Sequence, residues 1–255
     1  MSTIFTVAYY TFKELLKSRV LMNAFFMGCF LIALTYIASE FTFGVPQRIA
    51  IDFGLGILTL SSVGMALFFG VELLSKEIET RTIYMIISRP VERYKVLLGK
   101  YLGFLSILFL NLIILASMSL ITFKVLKGDI TNMILWNIIY IFIEALLVLL
   151  LVVLFSLNTN NTVSVISVIV LYVTGHAMDP NTLKFFVEGR PAFEKLINFY
   201  HFVLPGFYKL NIKDFVLYQE NLSSEYLIST LGYGFLYSLF LITLTAVIFE
   251  RKDLN

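Results

Sequence analysis

Residues 134–157 read ILWNIIYIFIEALLVLLLVVLFSL, and Glu144 is the one charged side chain in this run. A helix of this length extends about 36 Å at about 1.5 Å per residue, which exceeds the roughly 30 Å hydrocarbon core of a bilayer. The run lacks the alternation of polar and apolar residues that marks a strand of a membrane barrel. Because lipid offers the backbone no hydrogen-bond partner, we predict a membrane-spanning α-helix here.

Five other runs have the same apolar character, at residues 20–38, 53–74, 101–123, 163–177 and 226–249. The run at 163–177 is the shortest, and polar residues at 158–161 separate it from the run before it. Of all residues, 59% are hydrophobic and 14% charged, against roughly 45–50% and about 25% in soluble domains. The sequence therefore predicts an all-α integral membrane protein with six transmembrane helices, in one domain that covers residues 1–255.

Lysine and arginine are concentrated at three places along the chain, which indicates the orientation in the membrane. They are Lys13, Lys17 and Arg19; Lys76, Arg81, Arg89, Arg93, Lys95 and Lys100; and Arg251 and Lys252. On the opposite side, the first loop holds Arg48, and the second holds Lys124 and Lys127. The basic residues of the long segment 178–225 are balanced by acids. We therefore expect both termini, and the loop between the second and third spans, on the cytoplasmic side.

Residues 1–19 are predicted to form an amphipathic helix at the membrane surface rather than a signal peptide. Apolar side chains recur at near-helical spacing with lysines between them, at Ile4, Phe5, Ala8, Phe12, Leu15 and Leu16. The apolar run that follows is longer than the core of a usual signal peptide.

The charge-rich loop at residues 75–100 is the strongest functional signal in the sequence. Pro90 divides it, because proline disfavours helix in the residue before it, and apolar stripes on both sides predict two short amphipathic helices. A solvated loop would explain the basic residues, but not the acids Glu72, Glu77 and Glu79 just before them. We favour a docking element for a partner protein, with residues 79–87 as the helix that enters a groove on the partner.

Several functions find no support in the sequence. The nearest approach to a phosphate-binding loop is Gly99-Lys100-Tyr101. It lacks the serine or threonine after the lysine and the preceding glycine, so any ATP must be bound by a partner. His176 and His201 belong to no His-Glu-x-x-His motif, which makes a membrane metalloprotease a minor alternative with no metal ligands assigned. A net charge of +2 gives no argument for nucleic acid, and the lone Cys29 gives no disulfide.

Glu144 is the carboxylate nearest the middle of a predicted span, where charge is unfavourable. It either lines a transport path or anchors the bundle through a hydrogen bond, or it is protonated and merely tolerated. For His176, near the end of the fifth span, an interfacial position is favoured over a role as ligand or proton site. The small residues of the second span and Gly99-x-x-x-Gly103 predict close helix packing, with a subunit interface as the alternative.

Taken in order, these motifs resemble those of ABC-2 type permeases, including the branch that contains the permease of nitrous-oxide-reductase maturation. The loop matches through Glu72, Lys76-Glu77, Thr82, Ser88-Arg89-Pro90-Val91, Arg93 and Leu97-Leu98-Gly99-Lys100, with Ile86-Ile87 where leucines are usual. Three further segments agree: Phe12-Lys13-Glu14 with Lys17 and Arg19, Leu204-Pro205 through Lys213-Asp214, and Phe249 through Leu254. The resemblance thus covers the whole chain but does not identify a cargo.

The resemblance implies a permease subunit of an ABC transporter in a bacterial or archaeal cytoplasmic membrane. It implies partnership with a separate ABC ATPase that binds the ATP and Mg²⁺, and with a second permease copy or paralogue, in contact with membrane lipid. The residues it assigns to ATPase coupling are Glu72, Glu77, Glu79, Thr82, Ser88, Arg89, Pro90 and Arg93. A membrane anchor that assembles partners without transport is the alternative, and it would share the loop without needing Glu144.

Overall fold

The computed structural model describes residues 3–17, 20–40, 46–79, 92–179 and 204–251, together with 183, 193, 195, 197, 199 and 200. Within this part of the chain the regular structure is helical, which confirms the all-α class. The α-helices are α1 (Thr3–Lys17), α2 (Val20–Glu40), α3 (Pro46–Glu79), α4 (Arg93–Val125), α5 (Asn132–Ser156), α6 (Asn161–Ala177), α7 (Lys213–Leu217) and α8 (Ser224–Arg251), with a 3₁₀ turn at Phe207–Lys209.

Among the described residues, four helices are long and apolar enough to cross a membrane: Pro46–Leu73, Arg93–Val125, Asn132–Ser156 and Ser224–Arg251. Two shorter apolar helices, Ala24–Ala38 and Asn161–Ala177, coincide with the first and fifth predicted runs. All six apolar runs are thus helical, while the count of six crossings stays a prediction. We call the end of the bundle where α3 ends and α4 begins the near end, and the opposite end the far end.

Helix α5 forms the centre of the bundle and packs against α3, α6 and α8. Residues 147–153 are leucine and valine on every face of the helix, and each is at most 3% exposed. A helix that is apolar all round is stable where other helices surround it. At the far end, the Tyr140 hydroxyl donates to the Leu227 carbonyl of α8 at 2.8 Å, so this buried polar group is satisfied.

The structure corrects the prediction of a separate short helix after Pro90. Helix α3 continues from the membrane without a break to Glu79, and α4 runs unbroken from Arg93 to Val125. The predicted downstream helix is therefore the first turns of α4, since no proline separates residue 93 from the apolar run that follows. The predicted docking helix at 79–87 lies outside the described residues except for Glu79.

Helix α1 packs directly on the first turns of α4, at the two glycines of Gly99-x-x-x-Gly103. A Cβ at Gly99 would lie 2.8 Å from the Ile4 carbonyl oxygen, and one at Gly103 would lie 2.7 Å from the Ala8 carbonyl oxygen. Such distances leave no room for a side chain. Of the two interpretations given to this motif, the structure shows helix packing within the chain.

Helix α6 is 17 residues long, about 25 Å at about 1.5 Å per residue, and so is shorter than the membrane core. Its last turn carries His176, which contacts Glu144 near the midpoint of α5, so α6 ends about half-way along α5. The segment 204–217 fills the space beyond, with Phe207, Leu210 and Ile212 each at most 1% exposed. Helix α7 packs on α3 and α5 there.

We predict that Gly103→Ala will lower the thermal stability of the chain in detergent. Its Cβ would meet the Ala8 carbonyl oxygen, and overpacking of this kind costs about 1–3 kcal/mol. Gly64→Ala is the matched control, because nothing lies within 4 Å of a Cβ at that position of α3. Equal melting temperatures for the two variants would show that α1 is not held by this contact.

Candidate functional site

Four of the residues predicted to couple to an ATPase are described by the structure, and they fall at the near end. Glu72 is exposed on α3, Glu77 and Glu79 belong to its last turns, and Arg93 is the first residue of α4. Thr82, Ser88, Arg89 and Pro90 lie outside the described residues. The structure therefore places both ends of the predicted docking segment on long helices that continue into the membrane.

A buried lysine joins these two helices directly below the segment. The Lys100 side chain of α4 donates from Nζ to the Leu73 carbonyl oxygen of α3 at 2.8 Å, and Lys100 is 5% exposed. Charge is buried in proteins when carboxylates or carbonyl oxygens compensate it. The Leu73 carbonyl oxygen is such a partner, and a small cavity of about 80 Å³ beside Lys100 is also lined by Glu14 of α1 and Glu72 of α3.

Lys100 thus belongs to a junction of three helices. Helix α4 carries the lysine, α3 accepts its hydrogen bond through the Leu73 carbonyl, and α1 packs on the two glycines of α4. We call this the near-end junction, made by Glu14, Glu72, Leu73, Gly99, Lys100 and Gly103. Gly99-Lys100 was recognisable in the sequence as part of a motif, but Lys100 was not assigned to the site. Its position beside the apolar Val96, Leu97 and Tyr101 was the available signal, because a lysine on a buried helix face requires a partner.

The second candidate site lies inside the bundle, at the predicted intramembrane carboxylate. Glu144 is 3% exposed, and its Oε1 lies 3.1 Å from Nε2 of His176 at the end of α6. The His176 ring stacks on Phe207 with 5.8 Å between centroids and 2° between planes. The sequence favoured an interfacial histidine, whereas the structure pairs it with Glu144.

One hydrogen bond fixes the orientation of the His176 ring. Nδ1 lies 3.0 Å from the Tyr172 carbonyl oxygen, which can only accept, so Nδ1 donates. Nε2 is then the ring atom that faces Oε1 of Glu144, at 3.1 Å. The contact places an ionisable partner beside a carboxyl group at membrane depth, where an isolated charge is unfavourable.

His176 also lines an open cleft at the far end, which we call the far-end cleft. Its volume is about 730 Å³. The other lining residues come from the segment after α6, from residues 208–222 and from α8, among them Asp179, Tyr208, Lys209, Asp214 and Tyr233. Burial, followed by the Asp179 charge, raises the pKa of the Tyr208 phenol. Glu144 therefore lies behind a histidine that faces this cleft.

We predict that Lys100→Ala will destabilise the protein by about 1.5–3 kcal/mol, the usual contribution of a hydrogen bond from a charged group. Lys95→Ala, on the same helix, removes a pairing with Glu92 at 2.7 Å. These two side chains are 57% and 37% exposed for Glu92 and Lys95, so a much smaller loss is expected. Denaturant unfolding in micelles measures both. Equal losses would contradict a structural role for the buried ammonium.

A double-mutant cycle tests the intramembrane pair. His176→Leu is expected to destabilise the protein by about 2–3 kcal/mol, because a buried carboxylate loses its partner. His176→Leu combined with Glu144→Leu should regain most of that loss, since no charge then remains. If the two single changes add within about 0.5 kcal/mol, the two side chains are not energetically coupled.

A family model described as ABC-2 family transporter protein matches residues 6–254, which is nearly the whole chain. A search of curated proteins found no match.

Proposed function

We propose that this chain, which belongs to the ABC-2 family of transporter proteins, moves a cargo across the membrane by using ATP that a separate ATPase subunit hydrolyses. Membership makes the chain a transmembrane component of an ABC transporter. The ATPase, the manner of coupling and the cargo path are our proposal. The near-end junction is the observation that carries it.

The near-end junction is suited to transmit a mechanical displacement. The segment between Glu79 and Arg93 joins α3 to α4, and the Lys100 contact with Leu73 ties these helices just inside it. Helix α1 is pressed onto α4 at the same level. A partner that pushes on the segment would therefore move three helices as one unit, because a packed bundle transmits displacement rather than absorbing it.

The docking surface in this proposal consists of the coupling residues Glu72, Glu77, Glu79, Thr82, Ser88, Arg89, Pro90 and Arg93. Residues 79–87 enter a groove on the ATPase as a helix, and their flanking acids and bases set register and partner choice more than affinity. The ATPase supplies the phosphate-binding loop and holds the ATP and Mg²⁺, since this chain lacks that loop.

The cargo path in this proposal includes Glu144. Its support is the buried carboxylate at the midpoint of α5, paired with a histidine that faces the far-end cleft. A second copy of the chain, or a paralogue, completes the path by covering part of the apolar surface of the bundle. In this proposal the complex lies in a bacterial or archaeal cytoplasmic membrane, and both termini and the near end face the cytoplasm.

Charge reversal at the near end tests the coupling. With Glu77→Lys and Glu79→Lys together, we expect the chain to insert and fold normally but to lose at least about tenfold of the cargo-stimulated ATP hydrolysis measured in the complex reconstituted with its ATPase, as expected when like charges meet across an interface. The matched control is Glu220→Lys with Glu225→Lys, which reverses two exposed acids at the far end.

Three measurements separate the outcomes of this test. Membrane yield and melting temperature report folding, co-purification reports docking, and the ATPase rate reports coupling. Unchanged cargo-stimulated hydrolysis in the near-end variant would overturn the proposed docking surface. An ATPase that co-purifies with the chain but shows no stimulation by any cargo would favour a membrane anchor instead of a transporter.

A further inference from the structure

The far-end cleft has the dimensions of a small-molecule site. Its volume of about 730 Å³ lies within the roughly 300–1,000 Å³ that is typical of ligand pockets. It lies between the segment after α6 and the first turns of α8, on the side of the molecule opposite the near-end junction. Neither family membership nor the proposed coupling assigns a role to it.

Two tyrosine rings in the cleft already hold a cation. The Lys209 ammonium lies 4.6 Å from the centroid of the Tyr233 ring and 5.8 Å from that of Tyr208. Both distances fall within the roughly 6 Å over which a cation is attracted to the face of an aromatic ring. Both rings therefore lie within reach of the chain's own ammonium group, and we call the two of them the aromatic cage.

The cage is held in place by backbone hydrogen bonds. The Gly206 amide donates to the Tyr233 hydroxyl at 2.9 Å, and the Tyr226 hydroxyl donates to the Lys209 carbonyl oxygen at 3.3 Å. These bonds link the 3₁₀ turn to α8 on both sides of the cleft. The Tyr233 ring and the Lys209 backbone would consequently stay in position when the flexible Lys209 side chain leaves, so this part of the cage is preorganised for another cation.

The charges around the cleft favour a cation over an anion. Among the described lining residues, two carboxylates, Asp179 and Asp214, stand against one lysine, Lys209. Lys213 is adjacent in sequence, but its ammonium is paired with Asp52 at 2.6 Å. The His176 ring, which also lines the cleft, lies 3.1 Å from the Glu144 carboxyl group. An entering anion would meet two like charges, whereas an entering cation could replace Lys209.

We propose that the far-end cleft binds a small organic ammonium compound, which displaces the Lys209 side chain from the Tyr208–Tyr233 cage. Asp179 and Asp214 attract the charge, and the rings stabilise it at close range. Lys209 acts as a tethered competitor that lowers the affinity for the ligand. The site belongs to the permease chain alone, so its occupancy does not depend on ATPase docking.

Binding is tested on the full chain in lipid nanodiscs, without an ATPase, by isothermal titration calorimetry. The probes are choline and 3,3-dimethylbutan-1-ol, which has the same shape as choline but carries no charge. Choline should bind roughly tenfold more tightly than the neutral compound, because only the cation gains the attraction of two ring faces. Equal affinities for the two probes, or no heat of binding from either, would overturn the proposal. Tighter binding of a neutral disaccharide than of choline would also overturn it.

Variants of the cage separate a specific site from general charge attraction. Lys209→Gln should tighten choline binding about three- to tenfold, because it removes the competitor. Lys124→Gln is the control, since it removes a lysine outside the cleft whose side chain is 64% exposed, and it should leave the affinity unchanged. Equal effects of the two changes, or none from Lys209→Gln, would overturn the displacement mechanism.

A second pair of variants tests the ring itself. Tyr233→Leu should weaken choline binding about fivefold, whereas Tyr233→Phe keeps the ring face, loses only the hydroxyl that accepts from Gly206, and should weaken binding less. Should Tyr233→Leu fail to fold, the Lys209→Gln result decides the question. Retained choline affinity in a folded Tyr233→Leu variant would rule out the aromatic cage. Because no ATPase is present, none of these outcomes bears on the coupling proposal.

Discussion

The contact between the Lys100 ammonium and the Leu73 carbonyl is the interaction on which the near end of the bundle depends. It joins two helices that both cross the apolar region, at the point where the chain leaves α3 and returns in α4. A lysine buried at 5% exposure requires compensation, and the cavity beside it brings Glu14 and Glu72 to the same place. The charge therefore fixes the relative position of three helices.

Lipid as solvent explains most of what the sequence predicted correctly. A backbone without water must satisfy its hydrogen bonds locally, so the apolar runs identified helices and their approximate ends. The run at 134–157 predicted α5. The error concerns the short helix expected after Pro90, and it came from treating the loop by itself. In the structure, α4 begins at Arg93, ahead of its apolar run, because amphipathic turns continue a helix that is already nucleated.

The candidate sites were less predictable, because they depend on register between helices. Glu144 was recognisable as an intramembrane carboxylate, but its pairing with His176 follows from where α6 ends along α5, which local sequence does not encode. The contact of Gly103 with α1 rather than with a second subunit likewise depends on how α1 folds back. Lys100 was visible as part of a motif, yet its role required the position of the Leu73 carbonyl.

The two ends of the molecule have different chemistry, and this division suits a transporter driven from one side. The near end is a junction of three helices beside a charged segment, and the far end is an open cleft backed by the buried Glu144–His176 contact. In our proposal an ATPase docks on the segment between α3 and α4. A photo-cross-linking residue at Thr82, compared with one at Lys127, tests this docking in intact membranes. We expect a cross-link to the ATPase from position 82 and none from position 127. An ATPase that co-purifies with both variants but cross-links to neither would contradict it.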